Sequence, residues 1–411
     1  MISWLLLASA EAEVTTNLDV KTFFVTVHPF EHVLMPPSDT AQGFVDTRGR
    51  LQWDLTDNLS LEAHHVVTAG TPQYQTQLQM DLAEMGVELE DAMASNLMTG
   101  VGLQAPEAVD LSWRMEDSDL FLQGRTDRFF LQTSFGNNTL RVGRQAISFG
   151  HGMVFNPMDL VQPFSIATID NEYKAGIDAV RLDSYFGMTG QVTGVVAYAG
   201  SWDRDGLTAV LNAQGTVGLT DISIFVGSVR SDMVLGTGLV SSIGAVGLHS
   251  DVTLTLPDTQ EDPFVRLTTG ALWRPFGSSS ITMEYYYQSL GASNASNYLN
   301  FVSSERYARG ELWVMGQHYA TIGWGQELTA LSMLNAAVIA NLLDASMMLS
   351  PSFSVSVSDN VQMVAGGYVG LGERPKATST TEILLDPSAL QLNSEFGMMP
   401  GSGFIQVRSY Y

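Results

Sequence analysis

The sequence predicts an all-β protein, a transmembrane antiparallel up-and-down β-barrel of about 16–18 strands with long extracellular loops. Three observations carry this. Apolar and polar residues alternate with period two in many stretches of the chain. These stretches run to roughly 9–12 residues, longer than the ~5–6 of an ordinary soluble strand and enough to cross a bilayer at a tilt. Tight polar turns also alternate with long connections, as they do in outer-membrane barrels.

The alternation is plainest in Ser352–Ser358, where Phe353, Val355 and Val357 take every second position. Ile281, Met283, Tyr285 and Tyr287 alternate with Thr282, Glu284, Tyr286 and Gln288. Val265 to Arg274 follows suit with one fault, at Leu272, and Leu51, Trp53 and Leu55 flank Gln52 and Asp54. Neighbouring strand side chains point to opposite faces, so each stretch has one apolar and one wet face. Thr56-Asp57-Asn58, Gly136-Asn137-Asn138 and Ser358-Asp359-Asn360 read as hairpin turns, rich in residues that tolerate positive φ. The long connections fall at about 70–106, 149–176, 289–310 and 372–400. Leu328–Met348 is apolar enough to suggest a helix. Asn335, Asn341 and Asp344 would then sit in hydrocarbon, so two strands joined around Leu342-Leu343-Asp344 are preferred.

Composition narrows the function classes. The chain is 45% hydrophobic and 15% charged, with mean hydropathy +0.09, values that a barrel with a lipid face and a wet lumen shares with soluble proteins. The net charge of −24 repels phosphate backbones and argues against nucleic acid. The absence of cysteine removes disulfides and thiolate chemistry. Residues 1–12 read as a truncated signal peptide, with apolar Ile2–Leu7 leading into Ala8-Ser9-Ala10. The barrel would follow over 13–411. Leu78, Leu82, Met85, Leu89, Met93 and Leu97 step at helical spacing, so 70–106 holds a helical loop over the mouth or a plug in the lumen.

Two stretches carry resemblances. The C-terminal alternation of Gly403, Ile405, Val407 and Ser409 up to Tyr411 resembles the last-strand signal presented to the outer-membrane assembly machinery. Within 127–185, Arg141, Gly143, Arg144, Gln145, Gly150, Asp178, Val180 and Arg181 resemble the alginate-export-like porins. In their pattern a Gly-Arg-Gln strand is followed by a glycine loop and an Asp-Gly-Val-Arg-Leu strand. Ala146 and Ala179 depart from it. The resemblance implies a porin-like exporter or importer in the outer membrane.

Read physically, Arg141 and Arg181 alternate with lipid-type Val142, Val180 and Leu182 and should face a lumen. A bulge at Gly143 would turn Arg144 inward as well. These guanidinium groups could bind carboxylates or sugar hydroxyls, or simply neutralise Asp178, Asp183, Asp159 and Glu172. Loop 149–176, with Phe149, Phe155, Phe164 and Tyr173, is predicted to fold inward and narrow the passage. Tyr286 would offer a stacking face to sugar rings.

The expected function is passive passage of a hydrophilic solute or polysaccharide, with no cofactor, no metal and no catalytic residue. A plugged, non-conducting barrel serving periplasmic partners is the alternative. Ser148, His151 and Asn156 form a weak hydrolase-like set. His64 and His65 are neighbours on a strand, point to opposite faces and make a poor shared metal site.

Overall fold

The computed structural model describes residues 13–72, 76–84, 106–117, 119–161, 172–376 and 379–411. The signal-peptide reading of 1–12, the helical pattern beyond Glu84, and Phe164 lie outside these residues.

Among the described residues nineteen strands form one antiparallel sheet. The first seven are β1 (Glu13–His28), β2 (Thr40–Thr56), β3 (Leu59–Gly70), β4 (Trp113–Glu116), β5 (Phe121–Phe135), β6 (Asn138–Gln145) and β7 (Ile177–Phe186). Next come β8 (Gly190–Tyr198), β9 (Leu207–Val217), β10 (Thr220–Val229), β11 (Asp232–Ile243), β12 (Val246–Leu256) and β13 (Phe264–Phe276). The last six are β14 (Ser279–Gln288), β15 (His318–Thr329), β16 (Ser332–Asn341), β17 (Met347–Ser358), β18 (Val361–Leu371) and β19 (Gly401–Tyr410). Strand β1 pairs with both β2 and β19, which closes the ring, and β3 pairs directly with β5. The four-residue β4 pairs only with β5, so the closed barrel has 18 strands.

The predicted turns sit where the sequence puts them. Residues 57–58, 136–137 and 359–360 join β2 to β3, β5 to β6 and β17 to β18. Gly136 takes a φ of 56°, a left-handed value natural to glycine in a tight turn. The hairpins at 57–58, 136–137, 187–189, 218–219, 244–245, 277–278, 330–331 and 359–360 fall at one end of the barrel, while the two-residue turn at 230–231, between β10 and β11, is a tight turn at the other. The long connections occupy the other end. Leu328–Met348 is strand, turn and strand, with β16 and β17 joined at 342–346. Among the described residues no helix is long and apolar enough to cross a membrane, so any crossing is made by strands.

The alternation sorts into an apolar outside and a polar inside. In β7, Val180 and Leu182 are exposed while Asp183 is buried, and Arg181 shares the inward parity of Asp183. Phe24, Phe129, Leu131, Val142, Val196, Leu211, Ile224, Met283, Ile322 and Ile405 continue the exposed apolar face around the ring. Trp53, Phe135, Phe186, Trp273, Phe276 and Trp324 are exposed near the short turns. An apolar band edged by aromatic residues is the surface a bilayer interface favours.

The helix found within the predicted amphipathic loop is α1 (Gln77–Glu84). The Gln77 amide donates to Met35 O at 2.8 Å, and the Thr380 hydroxyl donates to the Asp81 carboxylate. Those contacts hold the described part of the helix among the long connections at the barrel mouth.

Candidate functional site

The segment after β6 leaves the wall, crosses the lumen and returns to β7. Two buried carboxylates on the far wall hold its outgoing limb. Asp251 of β12 accepts hydrogen bonds from the backbone amides of His151 (2.5 Å) and Gly152 (2.8 Å), and its other oxygen lies 3.0 Å from His151 Nδ1. Glu284 of β14 accepts from the amides of Met153 and Val154, both at 2.7 Å, and contacts His249 Nε2 at 2.9 Å. Gly238 on β11 leaves room for this clasp, since a Cβ there would stand 2.4 Å from Asp251 Oδ1 and 2.8 Å from His151 Nδ1. The Asp251 hydrogen bond raises the His151 pKa, outweighing partial burial, so the imidazolium is the favoured partner of that carboxylate.

Aromatic packing completes the far contact. Phe155 is fully buried and stacks on Tyr286, with ring centroids 4.5 Å apart and planes at 9°, while Phe149 meets Phe225 edge-on. Ile147 and Met158 are buried in the same inward-facing core as Ala197, Val210 and Val234. In its described parts, then, the loop folds inward as the sequence predicts. Tyr286, however, is not a stacking face for a sugar. Its own loop supplies the partner ring, its hydroxyl donates to Gln288, and only 1% of it is exposed.

The returning limb runs along the opposite wall. Lys174 Nζ ties the two limbs together, reaching both Asp159 oxygens at 2.6 and 2.7 Å and Ser148 Oγ at 3.2 Å. Burial pushes the Asp159 carboxyl up to about 6 against the pull of Lys174. Burial likewise lowers the Lys174 pKa. The Tyr173 ring lies 3.6 Å from the Arg48 guanidinium carbon and 5.0 Å from that of Arg128, and its hydroxyl meets His64 Nδ1. Glu172 sits 2.5 Å from Lys21 Nζ and 3.2 Å from Arg408, and accepts from the Tyr410 hydroxyl at 2.9 Å.

The wall facing this limb is rich in cations. Arg48 and Arg50 of β2 pair with Asp127 and Asp19, and Arg125 of β5 shares Asp127. Arg128 donates to two backbone carbonyls, Asp127 O at 2.7 Å and Lys174 O at 2.6 Å. Arg141 donates to the Gln132 side-chain amide at 2.6 Å, near the Phe130 ring. Among the described residues neither Arg128 nor Arg141 forms a carboxylate ion pair. Arg181 is bound in a fork by Asp183, which Thr193 and Gln191 also hold. Sequence reasoning missed Arg48, Arg50, Arg125 and Arg128. Period-two parity was the signal available, because Arg48 and Arg50 alternate with Gly49 and Leu51.

Arg144 and Asp178 belong to a different structure. The β5–β6 and β6–β7 registers run unbroken through Gly143 and Arg144, so no bulge turns Arg144 into the lumen. The bulge lies between β3 and β5 instead, where Asp127 falls between the paired Thr126 and Arg128. Arg144 is 2% exposed, and its donors meet Asp178 (Nε and Nη2, 2.9 Å each), Glu107 (2.9 Å), Val109 O (2.6 Å) and Thr126 O (3.1 Å). Asp178 also accepts from the Ala108 amide at 2.8 Å. This knot seals the seam where the chain leaves β6 and the 106–116 segment joins the edge of β5, so Arg144 has no donor left for a solute.

The other singled-out polar residues have separate duties. Ser148 meets Lys174, His151 meets Asp251, and Asn156 bonds Phe149 O and the Met158 amide. His64 meets Tyr173 and His65 meets Thr126 on the other face.

No family model matches the sequence, and no curated protein matches it. Solved structures do match in fold. OccK11 (OpdR) of Pseudomonas aeruginosa aligns with a TM-score of 0.56 at 8% identity, over 97% of this chain and 95% of that one. The BenF-like porin of Pseudomonas fluorescens Pf-5 gives 0.56 at 7% identity, over 97% and 98%. The outer membrane protein OpdK of Pseudomonas aeruginosa, solved also with vanillate, gives 0.56 at 7% identity over the same shares. At such identities the likeness is one of fold, and the fold is that of outer-membrane porins. The porin-like half of the resemblance in 127–185 agrees with it. The alginate-export half rests on those residues alone.

Proposed function

We propose that the chain is a bacterial outer-membrane pore that passes small hydrophilic solutes by diffusion, anions in preference to cations. The observation that carries the preference is the pair Arg128 and Arg141, two inward-facing guanidinium groups held by neutral acceptors beside the crossing loop. Glu62 on β3 feels the charge of both, so two cations share one acid, and a net positive charge in a narrow, partly desolvated passage attracts an anion more strongly than a surface charge does. The net charge of −24 does not oppose this, because many acids lie in the mouth connections. Glu31 and Asp39, Asp203 and Asp205, Asp258, Glu261 and Asp262, and Glu373, Glu382 and Asp386 are among them.

The exposed apolar band supports the membrane setting. OpdK, which shares the fold, was solved with vanillate, a small carboxylate, and this agrees with the reading. The covered Tyr286 ring argues against a polysaccharide track. The test is swelling of liposomes carrying the refolded chain, in isotonic gluconate and in a neutral sugar of similar size. Faster swelling in gluconate supports the proposal. Inserted protein that admits neither solute would favour the closed scaffold.

A further inference from the structure

The geometry points to Glu172 and Tyr173 as a tethered competitor that occupies the cationic wall in place of a passing anion, and so sets the pore's affinity for its solute. This rests on the proposed anion passage. Glu172 makes the contacts a diffusing carboxylate would seek, since one carboxylate bridges Lys21 on β1, Arg408 on β19 and the Tyr410 hydroxyl. Its neighbour Tyr173 lays a ring on Arg48 and Arg128 and reaches His64 with its hydroxyl. Together the two residues cover cationic groups from four strands, β1, β2, β5 and β19, and the His64 ring on β3, with one acid and one ring.

The cover is exchangeable. The Glu172 side chain is 41% exposed, so water already solvates the carboxylate and its pairs with the less exposed Lys21 and Arg408 are weaker than fully buried ones. Partial burial pushes its carboxyl up, but Lys21, Tyr410 and Arg408 outweigh that and hold it below its usual range, so it competes as an anion. The deeper limb anchors at Asp159, Asp251 and Glu284 are buried and do not depend on it. The 172–173 contacts are therefore free to yield while the loop stays in place.

An entering carboxylate would take the Lys21 and Arg408 contacts that Glu172 gives up. Binding of the two anions is mutually exclusive, and removing the tethered one should strengthen the other. The experiment is block of single-channel chloride current by benzoate in the unsubstituted pore, E172Q and E172D. The expected result is that E172Q lowers the half-blocking benzoate concentration by about five-fold, the scale of a half-exposed ion pair, while E172D stays near the unsubstituted value. Block unchanged or weakened in E172Q overturns the competition alone. Absence of any benzoate effect on the unsubstituted pore overturns the anion reading and the competition with it.

Discussion

Glu284→Gln isolates the clasp that holds the loop across the lumen. The Glu284 carboxylate is buried, and each oxygen accepts one backbone amide at 2.7 Å, from Met153 and Val154. Glutamine keeps a single acceptor, so one of these amides would face an NH2 group. The loss is one charge-assisted bond, about 1.5–3 kcal/mol, together with a buried donor left unmet, about 1–3 kcal/mol. With partial relaxation we take about 3 kcal/mol for the sum, or roughly a hundredfold rise in the population of released loop. The ladder hydrogen bonds of β14 are untouched, so the barrel should still fold. Single-channel recording should show brief excursions to a higher conductance in E284Q. In E284Q/D251N, where the grip on His151 and Gly152 is also weakened, those excursions should dominate. A double variant with traces identical to the unsubstituted chain would refute the clasp.

Two more predictions follow from the loop. Removing Asp159 alone leaves Lys174 buried without its carboxylate, so D159A should destabilise the fold by roughly 3–5 kcal/mol, whereas D159L/K174M should recover most of it. Equal losses in the two variants, measured by thermal melting in detergent, would contradict this. The His151 contact should depend on pH with a definite sign. The folded-state pKa is raised by Asp251, so the stabilisation is complete below about 6.5, the value of the unfolded chain, and fades as pH rises through the folded value. Loop openings should therefore become more frequent as pH rises above about 6.5. That trend should vanish in H151N, and its persistence there would assign it to another group.

The wall was legible in the sequence because its physics is local. Period-two alternation in Ser352–Ser358 and the turn at Asp359-Asn360 need only neighbouring residues, and β17 and β18 form there. Parity also placed Arg141 and Arg181 inward. What parity cannot supply is the partner across the lumen. Tyr286 faces inward as its alternation implies, yet Phe155, 131 residues earlier, lands on its ring. Arg144 shows the same limit. Its partner Glu107 comes from a segment that the pairing of β4 with β5 brings beside β6, so the residue reads as pore-lining in sequence and as a wall seal in space. The cations Arg48 and Arg128 gain their meaning from Tyr173, on a loop that returns only after crossing the barrel.

The central claim is an open, anion-preferring lumen, and the zero-current potential of the refolded chain in a planar bilayer across a KCl gradient tests it most directly. The account predicts a steady current whose potential lies on the chloride side of zero and shifts toward potassium in R128Q/R141Q. A potassium-selective current, or a folded and inserted protein that carries none, would contradict it.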